Sequence, residues 1–311
     1  MPTRLLARLL APILLLAGLF AIVPISAAGD GERHILVLGR ISDDPKIHYE
    51  QLKPLLDYVV PRMADVGIRE GRVLMARDAQ QMTSYLRRGQ VDWVTETAAS
   101  AVLLQSRGNV RPMLLTERDG VSRYRTVFFV RRDSGLVRLE DLAGRSVAFQ
   151  NNASTSAYFV PAIELLRRDL SLSLLLSPMD KPSRDNVGYV FARSELNIGA
   201  WVHKRLVDAG TMSDLDWNNP ARVPPSFRKD LEVIHITEPV PRALEMVRAD
   251  LDPKVQARLR EVLIEAASDP KAAQAMRHFF RTTRFLPIDD GASQVLERLR
   301  SGVARVKADV E

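Results

Sequence analysis

The residues best suited to chemistry in this sequence are three consecutive hydroxyl side chains, Ser154, Thr155 and Ser156. An apolar run over residues 146–150, which predicts a strand, and a short polar loop precede them, and the residues that follow predict a helix over 154–169. The first turn of a helix offers unpaired backbone N–H groups and the positive end of the helix dipole. Such a helix start, lined with hydroxyls, predicts an oxyanion-binding site.

The same three residues also fit a purely structural role. Serine is a preferred N-cap, so Ser154 is expected either to cap its own helix or to bind a ligand. Four or five charge-assisted hydrogen bonds, each of about 1.5–3 kcal/mol, suffice for micromolar binding, near about −8 kcal/mol, without any lysine or arginine. The local sequence does not decide between the two roles.

Signatures of catalysis are missing from the rest of the chain. The sequence has no HExxH, GxSxG or Walker glycine motif and no cysteine. Its five histidines are scattered without the spacing of metal ligands, at positions 34, 48, 203, 235 and 278. We therefore expect a binding protein without cofactor or metal, not an enzyme.

Alternating strands and helices are predicted to position the hydroxyl run. The first part of the chain predicts strands over 34–41, 71–75, 91–95 and 110–115, with helices over 47–66, 78–88 and from about 97. Asp78 is the expected N-cap of the second helix. This alternation predicts an α/β lobe around a largely parallel sheet.

The pattern restarts after Tyr124, which predicts a second lobe. Strands are expected over 125–131, 146–150, 196–202 and 231–236, and helices over 139–142, 154–169, 184–193, 203–209 and from 252 onward, with a surface loop over 211–229. The chain is expected to cross between the lobes near 120–124 and 231–241. The expected lobes are 29–122 with 232–311, and 123–231.

The first 28 residues have the order of a secretory signal peptide. Arg4 and Arg8 precede an apolar run over 9–25 and the small residues 26–28. The run is shorter than the roughly 20 residues of a membrane-spanning helix, so cleavage after Ala28 is expected, with an uncleaved anchor as the alternative. The predicted location is the periplasm.

Composition restricts the class of partner. The formal net charge is +6, and basic residues are interspersed with acidic ones, which disfavours nucleic acid and favours a small anion. Because the chain has no cysteine, its stability must come from a hydrophobic core without disulfides.

The segment from Ser154 to Tyr158 resembles the Ser-Thr-Ser-Gly-Tyr segment of the phosphate/phosphite/phosphonate-binding proteins of ABC transporters. Further pieces that resemble this family follow in the same order along the chain, over residues 37–41, 88–92, 124–134, 139–144 and 237–242. The resemblance implies a type II periplasmic-binding fold, in which two α/β lobes joined by two crossings enclose a ligand cleft. It also implies a monomer that delivers a small oxyanion to a membrane permease.

Departures from the family pattern concern the ligand. Glu96, next to Thr97, stands where relatives often carry an aromatic or apolar side chain, and Ala157 replaces the glycine. Asp185 matches an acidic position that faces the amine of phosphonate ligands, and Asn197 matches a position that is usually aspartate.

We expect Ser154, Thr155 and Ser156 to hold the oxyanion, and Glu96 and Asp185 to receive a cationic or hydroxyl-bearing part of the ligand. Alternatively, Glu96 caps the following helix or pairs with an arginine such as Arg184, which leaves a pocket for phosphate or phosphite. Tyr124 is expected to pack on the ligand or at the hinge, and the same two roles are open to Trp201.

Two other functions fit the same sequence. A sensory module that presents its ligand to a membrane kinase or receptor would share the fold. A periplasmic phosphoester hydrolase would use Asp185 or Glu96 as general base, but it needs a metal or nucleophile that the sequence does not supply.

Overall fold

The computed structural model describes residues 34–311, and most of its β-strands form two six-stranded sheets. The predicted signal peptide over residues 1–28 lies outside the described residues. Within residues 34–311, no helix is both long enough and apolar enough to cross a membrane. Strands β1 to β14 are Ile35–Ile41, Glu70–Ala76, Trp93–Thr97, Val110–Arg118, Arg123–Tyr124, Thr126–Arg131, Ser146–Phe149, Ser171–Leu174, Asn186–Phe191, Ala209–Ser213, Leu231–Ile236, Val240–Pro241, Ala243–Arg248 and Thr282–Leu286.

Helices pack on the sheets and start at local capping signals. Helices α1 to α10 are Pro45–Val59, Ala79–Arg87, Ala98–Arg107, Val160–Leu166, Glu195–His203, Asp214–Trp217, Pro225–Arg228, Pro253–Glu265, Ala273–His278 and Asp290–Asp309. Short 3-10 turns cover Val60–Val66, Leu139–Leu142 and Pro270–Ala272, and a π-turn covers Thr155–Phe159. Asp78 caps α2, as predicted, by accepting a hydrogen bond from the N–H of Gln81.

Both sheets are mixed, which corrects the expected largely parallel sheet. In the first, the order is β14-β4-β13-β3-β1-β2, and only β2, β1 and β3 run parallel. In the second, the order is β11-β6-β10-β7-β9-β8, and β10, β7, β9 and β8 run parallel. The antiparallel members of the first sheet include β13 and β14, which the sequence patterns missed.

Two connections join the sheets, as the predicted α/β binding-protein fold requires. The chain leaves the first sheet after β4 and returns after β11, and the connecting segments pair as β5 and β12 through Tyr124 and Val240. Strand β11 pairs with β6 in the second sheet. The predicted boundary at 231, which assigned β11 to the first lobe, is therefore wrong at that strand, and the lobe ranges otherwise stay a prediction.

The element types over residues 184–209 also differ from the prediction. The expected helix over 184–193 is strand β9, the expected strand over 196–202 is helix α5, and the expected helix over 203–209 is a turn that leads into β10. Short apolar runs do not distinguish a buried strand from a buried helix. Helix α5 is capped by Ser194, which accepts from the N–H of Asn197. The expected loop over 211–229 contains most of β10 and both α6 and α7.

Helix α10 links the cores of the two sheets. One continuous cluster of buried residues includes Leu104 of α3, Leu299 of α10 and Leu165 of α4. Gly302 brings α10 so close to α4 that a Cβ atom there would meet three side-chain atoms of Ile163. The start of α3, which follows β3, lies against the π-turn of the second sheet.

Candidate functional site

The hydroxyl run lies where α3 of the first sheet meets the π-turn of the second. Thr155 is buried, and its Oγ1 accepts a hydrogen bond of 2.9 Å from the N–H of Ala99, in the first turn of α3. Ser154 caps its own turn by accepting from the N–H of Ala157 at 3.2 Å. The Ser156 carbonyl accepts from Thr126 Oγ1 at 2.7 Å. Ser154 therefore has the capping role that was considered for it, whereas Thr155 joins the π-turn to the start of α3.

The hydroxyl oxygen of Thr155 is bound at the start of α3. It is not bound at the helix start that the sequence predicted after Ser154. Thr97 is the N-cap of α3, and its side chain forms no capping hydrogen bond. The residues after Ser154 form a π-turn before α4 begins at Val160. An acceptor oxygen from the second sheet thus occupies the positive end of a ten-residue helix from the first.

Tyr124 connects the hydroxyl run to charged residues of the first sheet. Its side chain is buried, and burial raises the pKa of its hydroxyl to about 12. The adjacent hydroxyls of Thr155 and Ser156 oppose that rise, as do the charges of Arg242 and Arg118. The structure therefore brings together Tyr124, Thr155 and Ser156 of the predicted site.

Glu96 lies at the same edge but is turned inward. Its side chain is 3% exposed, and Oε1 accepts from the N–H of Ile41 at 2.7 Å. Burial raises the pKa of its carboxyl, and the charge of Arg40, the backbone N–H groups and the charge of Arg118 act against this rise. The arginines near Glu96 are Arg40 and Arg118, not Arg184. The backbone N–H groups that act on it belong to Ile41 and Thr97, which precede the first residue of α3.

Two predicted site residues lie elsewhere. Asp185 is exposed and precedes β9, which runs parallel to β7, so it lies at the opposite end of the sheet from Ser154. Asn197 is exposed on α5, and its amide donates to the carbonyl of Ala192 at 2.8 Å. Both were assigned to the site through the family resemblance. Trp201 packs at the margin of a core of the second sheet.

Two arginines that the sequence analysis missed end strands at this edge. Arg40 is the second-last residue of β1 and Arg118 the last of β4, and each guanidinium carbon lies 4.4 Å from the centroid of the Phe280 ring. Arg40 Nη1 donates to the Thr95 carbonyl at 3.2 Å. Within residues 34–311, Arg40 Nε and Arg118 Nε and Nη2 are buried without a hydrogen-bond partner. Burial and then the charge of Arg40 lower the pKa of Arg118 to about 9.

A fully buried carboxylate supports these strands. Glu245 of β13 accepts hydrogen bonds from Trp93 Nε1 at 2.6 Å, Thr95 Oγ1 at 2.9 Å and Thr116 Oγ1 at 2.6 Å. Burial raises its pKa, and these three donors oppose that rise. Since neutral donors already occupy its oxygens, Glu245 fixes β3 and β4 on β13 and is not a free general base.

A sequence signal for the arginines did exist. Ligands of α/β proteins bind at the carboxyl ends of strands, and Arg40 lies near the end of the apolar strand predicted over 34–41. Strand β4, however, runs to Arg118, three residues past the predicted end, which hid the second arginine.

The chemistry available here is anion recognition by hydroxyls, a helix start and guanidinium groups. Across residues 34–311, no cluster of three or more histidine, cysteine or acidic side chains is arranged to hold a metal ion.

Comparison with known proteins gives concordant results. Residues 41–292 match a family described as the periplasmic substrate-binding protein of the phosphonate ABC transporter. The chain is 54% identical to XAC2383 from Xanthomonas citri bound to chloride ion, with TM-score 0.85 and coverage of 89% of this chain and 99% of that one. The same protein bound to ATP gives 53% identity, TM-score 0.85 and coverage of 90% and 100%.

A more distant structure shares the fold. It is PhnD1 from Prochlorococcus marinus in complex with methylphosphonate, at 16% identity and TM-score 0.64, with coverage of 88% of this chain and 98% of that one.

Proposed function

Because the chain belongs to the family of periplasmic substrate-binding proteins of phosphonate ABC transporters, we propose that it captures a small phosphorus oxyanion: phosphonate, phosphite or phosphate. Membership implies a periplasmic location, an ABC permease as partner and a binding rather than catalytic role. The proposed site is the edge where α3 meets the hydroxyl run.

The contact between Thr155 Oγ1 and the N–H of Ala99 carries this proposal. It puts a hydroxyl of the second sheet and the start of a helix of the first within 2.9 Å of each other. An oxyanion oxygen is a stronger acceptor than a hydroxyl for such an N–H group, because it carries charge. The proposed ligand contacts are Thr97, Tyr124, Thr155 and Ser156, with Ser154 as the cap that shapes the turn.

Glu96 is proposed to tune selectivity. A carboxyl at this edge disfavours a fully ionised phosphate unless it is protonated or paired, and it favours a ligand with a cationic or hydroxyl group. Asp185 and Asn197 are left out of the proposed contacts, since one is at the far end of the second sheet and the other is bound to the Ala192 carbonyl.

A larger phosphate ester is the second candidate ligand. The relative XAC2383, 53% identical, is bound to ATP in one structure, which supports a nucleotide as a ligand class for this chain. Delivery to a sensor kinase is the alternative to delivery to a permease. Neighbouring genes distinguish these two partners: a permease with an ATPase indicates transport, whereas a kinase with a response regulator indicates sensing.

Calorimetry on residues 29–311 with phosphate, phosphite, methylphosphonate, 2-aminoethylphosphonate and ATP tests the ligand class. We expect at least one to bind with micromolar affinity, and Thr155→Val to weaken it roughly tenfold through loss of one charge-assisted hydrogen bond. Thr83→Val is the matched control, because Thr83 is also a buried threonine but lies on α2.

Absence of binding below millimolar concentration would show that the ligand class is wrong. If phosphate and the aminophosphonate bind equally and Glu96→Gln changes neither affinity, the selectivity role of Glu96 fails.

A further inference from the structure

Arg40 and Arg118 have acidic residues nearby but no direct acidic partner in the part of the chain that the structure describes. Neither forms an ion pair among residues 34–311, and three of their buried guanidinium nitrogens have no hydrogen-bond partner. Arg118 is only 8% exposed. The two nearby carboxyls do not supply these partners, since Glu96 accepts from the backbone of Ile41 and Glu245 from three neutral side chains.

Such an arrangement is unfavourable by itself. A buried charge normally has a partner, and two neighbouring cations add repulsion to the cost of desolvation. Both guanidinium carbons lie 4.4 Å from one ring centroid, so they are no further apart than twice that distance. A bound anion would accept hydrogen bonds from the unpaired N–H groups, and its negative charge would offset the repulsion between the two arginines.

The ring between them is held by a constrained turn. Phe280 and Arg281 have φ of 52° and 58°, a left-handed conformation that is uncommon for residues other than glycine. The N–H of Phe280 donates to the His278 carbonyl, and Arg281 Nε donates to Asp119 at 2.6 Å. The backbone conformation therefore helps to fix the position of the Phe280 ring, in addition to its contacts with the two arginines.

We propose that Arg40 and Arg118, stacked on Phe280, form a guanidinium subsite that selects a dianionic phosphoryl group over a monoanion of the same shape. Guanidinium groups suit this ligand because their forked N–H groups match phosphoryl oxygens. The subsite deepens the proposed function and rests on it.

The subsite is continuous with the hydroxyl run. The charge of Arg118 acts on the hydroxyl of Tyr124, which lies beside Thr155 and Ser156. Arg40 acts on Glu96, the residue before the N-cap of α3. The hydroxyl run, the start of α3 and the two guanidinium groups thus lie close together, at the place where the two sheets meet.

The test compares methylphosphonate, at a pH above its second pKa where it is dianionic, with methanesulfonate, a monoanion of similar shape. The wild-type protein should prefer methylphosphonate, and Arg118→Met and Arg40→Met should each weaken that ligand at least tenfold and reduce the preference. Arg118→Lys should retain part of the affinity because it keeps the charge. Arg62→Met is the matched control, since Arg62 also stacks on a ring, that of Tyr58 at 3.7 Å, but pairs with Asp269.

Thermal unfolding distinguishes a ligand-binding role of the two arginines from a purely structural role of their stacking on Phe280. In anion-free buffer, Arg118→Met should unfold at the same temperature as the wild type or higher, and methylphosphonate should stabilise only the wild type. A lower unfolding temperature with unchanged affinity would overturn the subsite. If the wild type binds no phosphorus compound at all, the proposed function fails and the subsite fails with it; tight binding that both methionine variants retain overturns the subsite alone.

Discussion

At the scale of single residues, the least expected feature is a buried arginine whose pKa is lowered to about 9. Arg118 is a base with a folded-state pKa below its ordinary value of 12.5, so its charged form is disfavoured by folding. Folding is therefore penalised while Arg118 is protonated, below about pH 9, and the penalty is relieved as pH rises above that value. The charged or titratable groups that affect the pKa of Arg118 are Arg40, Glu245, Arg242 and Tyr124. The charge of Arg118 in turn affects the pKa of His48 and of Glu96.

This pKa predicts opposite effects of alkaline pH on binding and on stability. Between about pH 7 and pH 10, a phosphomonoester stays dianionic because its second pKa is about 6, so its affinity should fall as Arg118 loses its proton near pH 9. The ligand-free protein should gain stability over the same rise, relative to Arg118→Met. Calorimetry and urea unfolding measure the two quantities. Tyr124, with its pKa at about 12, does not titrate in this range.

Arg118→Met is the control for all other groups that titrate in that range. If the variant and the wild type lose affinity in parallel between pH 8 and pH 10, Arg118 is not responsible for the loss.

At the scale of elements, α10 decides how the two sheets meet. It packs against α3 and against α4. Just past its end, Glu311 accepts a hydrogen bond of 3.0 Å from Tyr158 Oη in the π-turn. The contact with α4 depends on Gly302. A Cβ atom there would lie 2.5, 2.8 and 3.0 Å from Cδ1, Cγ1 and Cγ2 of Ile163, and a β-branched side chain has little rotamer freedom to move away.

Gly302→Ala should therefore destabilise the protein although alanine favours helix. Helix propensity contributes about 1 kcal/mol of stability, whereas overpacking costs about 1–3 kcal/mol, so we expect a net loss of about 1 kcal/mol in the free energy of unfolding. In an Ile163→Ala background the clash is gone and the same substitution should stabilise. Urea unfolding of the four proteins measures both effects, and a stabilising effect in the wild-type background would contradict the close packing.

At the scale of the whole molecule, one hydrophobic cluster continues from the first sheet through α10 into the second. The β5–β12 ladder ties the two connections together. With no cysteine in the chain, this shared core must provide the cooperativity that disulfides do not. The two sheets are therefore expected to unfold together.

A tryptophan variant tests this coupling. Trp201→Phe combined with Trp217→Phe leaves Trp93, in the core of the first sheet, as the single fluorescent tryptophan. Its urea midpoint should coincide with that of far-UV circular dichroism, which reports on both sheets. Separated midpoints would show that the sheets unfold independently.

Local patterns were sufficient for much of the fold. Residues 34–115 show their alternation of strands and helices in the sequence, because apolar periodicity and caps such as Asp78 are properties of neighbouring residues. The hydroxyl run after an apolar strand was visible for the same reason. Over residues 184–209, the short apolar segments of β9 and α5 fit either element type, and their pairing and packing partners decided between them.

The sequence by itself thus determined the α/β class and the two lobes joined by two crossings, and it predicted an oxyanion site at the hydroxyl run. Only the tertiary structure decided that Thr155 meets the start of α3, that Asp185 lies at the far end of its sheet, and that Arg40 and Arg118 share the ring of Phe280. The physical reason is distance along the chain. A local pattern specifies a residue's own element, whereas the charge around a binding site comes from strands that meet only when the sheets form.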